Sequence, residues 1–269
     1  MLKIRKSIIT KPVPLIKLIP NFITLLGLVT GMSSIKFALD SRWELAVYCI
    51  IVAAIIDGID GRIARMLNAV SPFGAELDSL CDFANFGIAP AYLIYLWSFQ
   101  QYEYKVFSSA VMLLFIVCMA LRLARFNVGI YQPKQDKTDY FFTGVPAPCG
   151  ALLALMPVMI DFEIGTLLNI NTRTHTITIN IYLAIIAFLL ASRLPTISTK
   201  NLSIKPEYLS LAMILVAIVI INLIIYPWYS LPLIAVIYIL SIPICYFLNI
   251  EGIGKVNYAE CITTSYRQI

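Results

Sequence analysis

Residues 57–82 read D-G-I-D-G-R-I-A-R-M-L-N-A-V-S-P-F-G-A-E-L-D-S-L-C-D, which places Asp57, Asp60, Glu76, Asp78 and Asp82 inside a chain that is otherwise mostly hydrocarbon. Asp57 and Asp60 are three apart and Asp78 and Asp82 are four apart, so each pair shares one face of a helix. Apolar residues 50–56 run straight into Asp57, and a long apolar stretch, 83–97, follows Asp82. Working outward, the pattern predicts two membrane-crossing helices joined by a turn at 67–72, with an acidic pair at the end of each. Carboxylates at such depth are costly unless paired or neutralised, and are then usually functional. Four of them facing one another repel, and a hard divalent cation with oxygen ligands is the simplest way to hold them together. The plainer structural alternative is ion pairing with Arg62 and Arg65 to close a helix end, but two arginines cannot balance five acids.

The chain around this stretch has 269 residues, 60% of them hydrophobic and 13% charged, with a mean hydropathy of +0.85. Apolar runs of about 18 residues or more recur along it, the pattern of a polytopic membrane helical bundle, all-α. The net charge of +5 does not mark a nucleic-acid binder, because the basic residues flank the spans and suit contact with anionic membrane lipids. Of the cysteines (Cys49, Cys81, Cys118, Cys149, Cys245 and Cys261) none lies in a C-x-x-C pair. They read as small buried residues rather than a disulfide frame or zinc site. His175 is the sole histidine, which argues against a histidine-based metal site or triad.

In order, residues 1–19 form a basic segment read as interfacial and retained, since no small-residue cleavage site follows it. Spans are expected at 21–39, 43–64, 75–98, 106–127, 145–160 and 177–192, then at 208–225 and 231–248. The last two carry no acid or base and are assigned to packing, and the tail 249–269 is mixed and polar. This gives a catalytic domain at 20–200 and two added spans within 201–248. Asn21, at the start of the first span, has a plain reading as a helix cap. Gly58, Gly61, Ala64 and Gly74 are small residues suited to close helix packing, and around a phosphate they also admit a ligand to the backbone. Arg122 and Arg125 share a face at the end of the fourth span, on the same side of the membrane as the acids. With residue 1 inside, 16 of the 20 basic residues fall on the inner side, so the acids are expected at the cytoplasmic face.

A site of divalent cations, arginines and glycines open to cytosol and lipid suits phosphoryl transfer from a nucleotide diphosphate to a hydroxyl. Two cations about 3.5–4 Å apart can polarise phosphoryl oxygens, Arg65 adds a fork for phosphate, and a carboxylate can take the proton of an alcohol. A many-span chain with buried acids can also be a cation-coupled transporter, but such proteins tend to place ionisable groups at the bilayer midplane on broken helices.

The spacing of Asp57, Asp60-Gly61, Ala64-Arg65, Gly74, Asp78 and Asp82 resembles the full signature of the CDP-alcohol phosphotransferase family, with no position missing. That resemblance implies a six-helix membrane core that cleaves a CDP-linked substrate, passes its phosphoryl group to an alcohol and releases CMP. It implies Asp57, Asp60, Asp78 and Asp82 as ligands of two divalent ions, Mg2+ or Mn2+, and Asp82 also as the base. Gly61, Ala64, Arg65 and Gly74, with Asn21 and Thr24, would surround the CDP moiety. Six further stretches resemble the integral-membrane members of bacteria and archaea whose alcohol is serine: I-P-N-F-I-T (19–24), F-G-A-E-L-D-S (73–79), F-G-I-A-P-A (86–91), R-L-A-R-F-N (122–127), F-T-G-V-P-A-P (142–148) and S-R-L-P-T (192–196). They imply CDP-diacylglycerol and L-serine as substrates, a homodimer, and an active site at the cytoplasmic face of a bacterial inner membrane. Arg122 and Arg125 are candidates for the serine carboxylate. Asn85 stands where those enzymes commonly have Ser, which leaves glycerol 3-phosphate, inositol or inositol phosphate open as acceptors.

Overall fold

Proline and glycine punctuate the apolar runs, and each break becomes a helix boundary in the computed structural model, which describes residues 15–101, 105–130, 141–165, 172–192, 195–197 and 208–243. Helix α1 (Ile19–Leu39) carries Pro20 in its first turn, where a missing N–H is one of the unpaired donors anyway. Its N-cap is Leu18, with no side-chain cap bond, so the capping role expected of Asn21 is not what the structure contains. Antiparallel to α1 runs α2 (Trp43–Met66). The α1 face turned inward is made of Gly27, Gly31, Ser34 and Ala38, and a Cβ on Gly27 would stand 3.1 Å from Ile56 Cγ2. Small residues at this spacing let the two backbones approach.

Helix α3 (Pro72–Asp82) begins with Pro72 at its first turn and Ser71 as N-cap, whose hydroxyl accepts from the Gly74 N–H at 3.1 Å. The sequence pattern predicts one continuous span over 75–98, and here the structure differs. A π-helical turn, Phe83–Ile88, separates α3 from α4 (Ala89–Trp97). Pro90 lacks an N–H, and its ring excludes the regular bond to the carbonyl four residues back, so the chain widens ahead of it.

Helices α5 (Lys105–Ile130), α6 (Ala147–Ile160), α7 (Thr176–Ala191), α8 (Leu209–Ile225) and α9 (Pro227–Pro243) follow. The last begins four residues before the expected 231. Among the described residues the rest is short turns and one antiparallel pair of strands, β1 (Phe141–Thr143) with β2 (Pro195–Ile197), in which Phe142 is paired with Thr196. The described residues are therefore helical apart from that clasp and the short turns. Residues 15–39 and 105–128 form helices long and apolar enough to cross a membrane, and α7, α8 and α9 are shorter apolar helices, consistent with a membrane helical bundle. Expectations for residues 1–14, the polar loop 131–140, Arg193 with the basic turn after 197, and 244–269 lie outside the described residues.

The core lies between α2, α4, α5, α6 and α7, around Phe86, Leu93, Phe115, Met119, Leu155 and Leu183, all fully buried. Helix α8 buries no residue, whereas α9 lays Trp228, Ala235 and Ile242 on the core. At the end of the molecule away from the acids, Trp228 meets Tyr48 and Phe162, each with ring centroids 4.7 Å apart. Arg173 there pairs with Asp161 at 3.6 Å and lies 5.1 Å from the ring centre of Trp43 and 5.7 Å from that of Trp97. The polar stretch expected at 161–176 thus contains an anchored cation, while exposed His175 is a boundary residue that caps nothing.

Candidate metal and nucleotide site

Two helix ends bring the acids together. Asp57 and Asp60 come from the last turns of α2, and Asp78 and Asp82 from α3 across the turn held by Ser71 and Pro72. Carboxylate oxygens of Asp57, Asp60 and Asp78 all lie within 4.8 Å of one another. Asp60 is 4% exposed, and the Thr24 hydroxyl on α1 donates to its Oδ2 at 2.6 Å. The same hydroxyl lies 3.1 Å from the Pro20 carbonyl, so its single hydrogen is shared. Asp82 stands beside the trio. Its carboxyl lies within hydrogen-bond reach of that of Asp57, and the Arg122 guanidinium is a nearby positive charge without forming an ion pair with it.

No described basic side chain makes an ion pair with any of the four aspartates. Arg65 turns its Nε back to the Gly61 carbonyl at 3.0 Å, and Arg62 points outward, exposed. The reading of the acids as a salt-bridged helix end therefore fails. Three carboxylates with no countercharge, at the rim of a cavity, fit an oxygen-ligated divalent cation.

That cavity has a volume of about 290 Å³ and is lined by Asp60 and Asp78 together with Asn21, Thr24, Gly61, Ala64, Arg65 and Gly74. All six residues expected around the nucleotide line it. The glycines divide between the two roles foreseen for them. A Cβ on Gly74 would stand 3.0 Å from Asn21 Oδ1 and 3.2 Å from Ser71 Oγ, so Gly74 lets α3 close on α1. A Cβ on Gly58 or Gly61 would meet nothing within 4 Å, so neither serves packing, and Gly61 keeps the cavity open. Sequence reasoning missed Pro20, Ala69, Val70, Ser71 and Ala75 as lining residues. The Ser-Pro pair before Gly74 was a readable signal for the cap, but nothing local marks Ala69 or Val70.

A second cluster flanks Asp82. Arg122 is half-buried and donates through Nε to the Val145 carbonyl. Exposed Arg125 donates through Nη2 to the Ala191 carbonyl at 2.7 Å and through Nη1 to the Ser192 carbonyl at 3.5 Å, capping the end of α7. Gly144, with φ of +86°, makes the turn after β1, and a Cβ there would press on the Ser192 carbonyl at 3.3 Å. Three separate stretches, R-L-A-R-F-N, F-T-G-V-P-A-P and S-R-L-P-T, are thus tied into one clasp by two arginines and the β1–β2 pair. Ser79 on α3 donates to Asn127 on α5 at 3.1 Å and braces this clasp against the acids. Asn85, in the π turn, is 3% exposed, and its side chain fills the space a Cβ on Gly31 would need. Its Oδ1 has no hydrogen-bond donor among the described residues.

The family model described as CDP-alcohol phosphatidyltransferase matches residues 17–190. The chain belongs to the CDP-alcohol phosphatidyltransferase family. A second model, CDP-alcohol phosphatidyltransferase 2, matches residues 207–243, the α8–α9 segment. Similar proteins include a CDP-diacylglycerol–serine O-phosphatidyltransferase of Mycobacterium leprae, 34% identical over 229 residues that cover 85% of this chain and 74% of that protein. Proteins of the same name from Helicobacter pylori (36% over 150 residues, 56% of this chain and 61% of theirs) and Methanocaldococcus jannaschii (40% over 136 residues, 50% and 57%) are also similar. For this CDP-alcohol phosphatidyltransferase, Thr24→Val is expected to weaken divalent-cation binding about 10–100-fold, because it removes the bond that orients Asp60. Titration of the purified protein with Mn2+ measures this, and unchanged affinity would remove Thr24 from the site.

Proposed function

We propose that the protein transfers the phosphatidyl group of CDP-diacylglycerol to the hydroxyl of L-serine, giving phosphatidylserine and CMP. The observation that carries this reading is the uncompensated aspartate trio at the rim of a cavity lined by every residue expected around a CDP group. The names of the similar proteins point to serine as the alcohol.

Asp57, Asp60 and Asp78, with Asp82, would hold two Mg2+ or Mn2+ ions, which supply charge to the phosphoryl oxygens when bound. Gly61 admits the diphosphate to the backbone, and Arg65, Ala64, Asn21, Thr24 and Gly74 surround the nucleotide. CDP-diacylglycerol enters sideways from the lipid and L-serine from the cytosol. Asp82, the carboxylate least committed to the trio, accepts the proton of the serine hydroxyl. The hydroxyl oxygen bonds to the phosphorus that carries diacylglycerol, the bond from that phosphorus to the CMP oxygen breaks, and CMP leaves with the electron pair. Arg122 receives the serine carboxylate with Arg125 beside it, since a guanidinium fork matches a carboxylate. Asn85, three residues after Asp82, offers its unpaired carboxamide oxygen to the acceptor. The six-span core of residues 20–200 and the added pair α8–α9 would lie in a bacterial inner membrane as a homodimer, with the site at the cytoplasmic face.

A phosphorylated acceptor such as glycerol 3-phosphate would need a denser basic cluster than Arg122 and Arg125. A cation-coupled transporter would hold its acids at the midplane rather than at helix ends. The test is CMP release by purified protein supplied with CDP-diacylglycerol, a divalent cation and one alcohol at a time. Release is expected with serine, not with glycerol 3-phosphate or inositol, and not after chelation. Equal release with another alcohol, or release that survives chelation, would overturn the reading. In the same assay Arg122→Ala and Arg125→Ala should each raise the KM for serine far more than that for CDP-diacylglycerol. An equal change in both would take the arginine out of the acceptor site.

A further inference from the structure

A second cavity, of about 460 Å³, opens at the end of the bundle away from the aspartates. Arg42, Trp43, Glu44, Asp161, Phe162 and Arg173 border it, and phosphatidyl transfer at the acids uses none of them. One of its cations is held in place from several sides. Asp161, just after α6, accepts from the Thr172 backbone N–H at 3.2 Å and from the Thr172 hydroxyl, and pairs with Arg173 Nε at 3.6 Å. The Arg173 carbonyl accepts from the Ser98 hydroxyl at 2.9 Å, which ties the residue to the end of α4. Its guanidinium lies against two indoles, 5.1 Å from the ring centre of Trp43 and 5.7 Å from that of Trp97. The pairing uses Nε and leaves the Nη side of the fork for a ligand. On the same rim Arg42 and Glu44 are exposed and make no ion pair among the described residues.

Depth and shape narrow the ligand. The chain has three tryptophans, Trp43, Trp97 and Trp228, and all gather here: Trp43 lines the cavity, Trp97 lies under Arg173 and Trp228 stacks on Phe162. In a membrane helical bundle tryptophan marks the level of the lipid headgroups. From the cavity wall at Leu45, α2 carries Leu45, Val52, Ile55 and Ile59 along one exposed face, an apolar track about 20 Å long. A free anion has no use for such a track, whereas acyl chains lie along it. The formal charges of the cavity cancel, Arg42 and Arg173 against Glu44 and Asp161. A headgroup that carries both a phosphate and an ammonium therefore suits it better than one with a net negative charge.

We infer that this cavity binds the headgroup of a zwitterionic aminophospholipid, with the phosphate on Arg173 and Arg42 and the ammonium on Glu44. A guanidinium fork matches phosphate oxygens. Trp43 and Phe162 wall the headgroup, and the acyl chains follow the exposed face of α2. The site is separate from the aspartates and does not depend on which alcohol reacts there.

The test is binding of phosphatidylethanolamine to the full-length protein in dodecyl maltoside micelles, followed by tryptophan emission. The parent should give a saturable change. Arg42→Gln leaves the Arg173–Asp161 pair and both indole contacts in place, and it should weaken binding about tenfold, the usual size for a hydrogen bond to a charged group. Lys36→Gln removes an exposed charge near the same end that does not line the cavity, and it should bind as the parent does. Phosphatidylglycerol, which lacks the ammonium, should bind the parent more weakly, and Glu44→Gln should erase that preference. Phosphoethanolamine, the same headgroup without chains, should bind far more weakly than the lipid. The inference falls if the parent gives no saturable response, if Arg42→Gln binds like the parent, or if Lys36→Gln weakens binding as much. It falls equally if phosphatidylglycerol binds as tightly as phosphatidylethanolamine, if Glu44→Gln keeps the preference, or if phosphoethanolamine alone binds as tightly as the lipid.

Discussion

Asp78→Asn protein should fold and insert like the parent and release CMP about a thousandfold more slowly, about 4 kcal/mol of lost transition-state stabilisation. Asp78 interacts with both Asp57 and Asp60, and the three offer oxygens within 4.8 Å of one another. Asparagine keeps the shape of the side chain but removes one charge from a trio with no basic partner. The loss should therefore appear first as a weaker hold on divalent cation. Helix α3 itself is held by the Ser71 cap and Pro72, neither of which the substitution touches. Turnover measured against Mg2+ or Mn2+ concentration checks this. Parent-like turnover at low cation concentration would end the case for a metal centre at these aspartates.

Gly61→Val tests the cavity rather than the acids. Nothing lies within 4 Å of the position a Cβ would take, so the side chain meets no protein atom. Valine is a better helix former than glycine, so the helix itself is not weakened. What it meets is the space reserved for the nucleotide, in a cavity of about 290 Å³. Steric misfit in a shaped site is worth about a hundredfold, and the KM for CDP-diacylglycerol should rise by that factor while the KM for serine stays put. Gly58→Val is the matched control. Gly58 also faces open space but does not line the cavity, so its kinetics should be those of the parent. Equal effects from the two substitutions would separate the cavity from the substrate.

The acids were legible because their message is local. Spacings of three and four within residues 57–82 place carboxylates on one helical face whatever the rest of the chain does, and α2 and α3 obey. Apolar runs likewise located α1, α2, α5, α6, α7 and α8 to within a few residues. What escaped depends on contacts between distant parts. Phe141–Thr143 and Pro195–Ile197 have no alternating pattern, and they pair because two arginines on α5 draw their neighbouring carbonyls together. The wide turn at Phe83–Ile88 needed Pro90 to be read for its effect on the residues before it. Asn21 looked like a cap, yet α1 starts two residues earlier and Asn21 sits against Gly74 instead. Helix α9 was silent for another reason. When every face of a helix is apolar, periodicity cannot say which one is buried, so the stripe of Trp228, Ala235 and Ile242 did not stand out from its neighbours.

The wide turn between α3 and α4 also has a mechanical meaning. One extra residue per turn rotates everything before it by about 100° relative to a straight rod. Phe86, Leu93 and Ile94 can therefore stay buried in the interior while Asp78 and Asp82 swing round to confront α2. An unbroken rod would have to choose between a well-filled interior and a well-aimed pair of acids, and this one serves both.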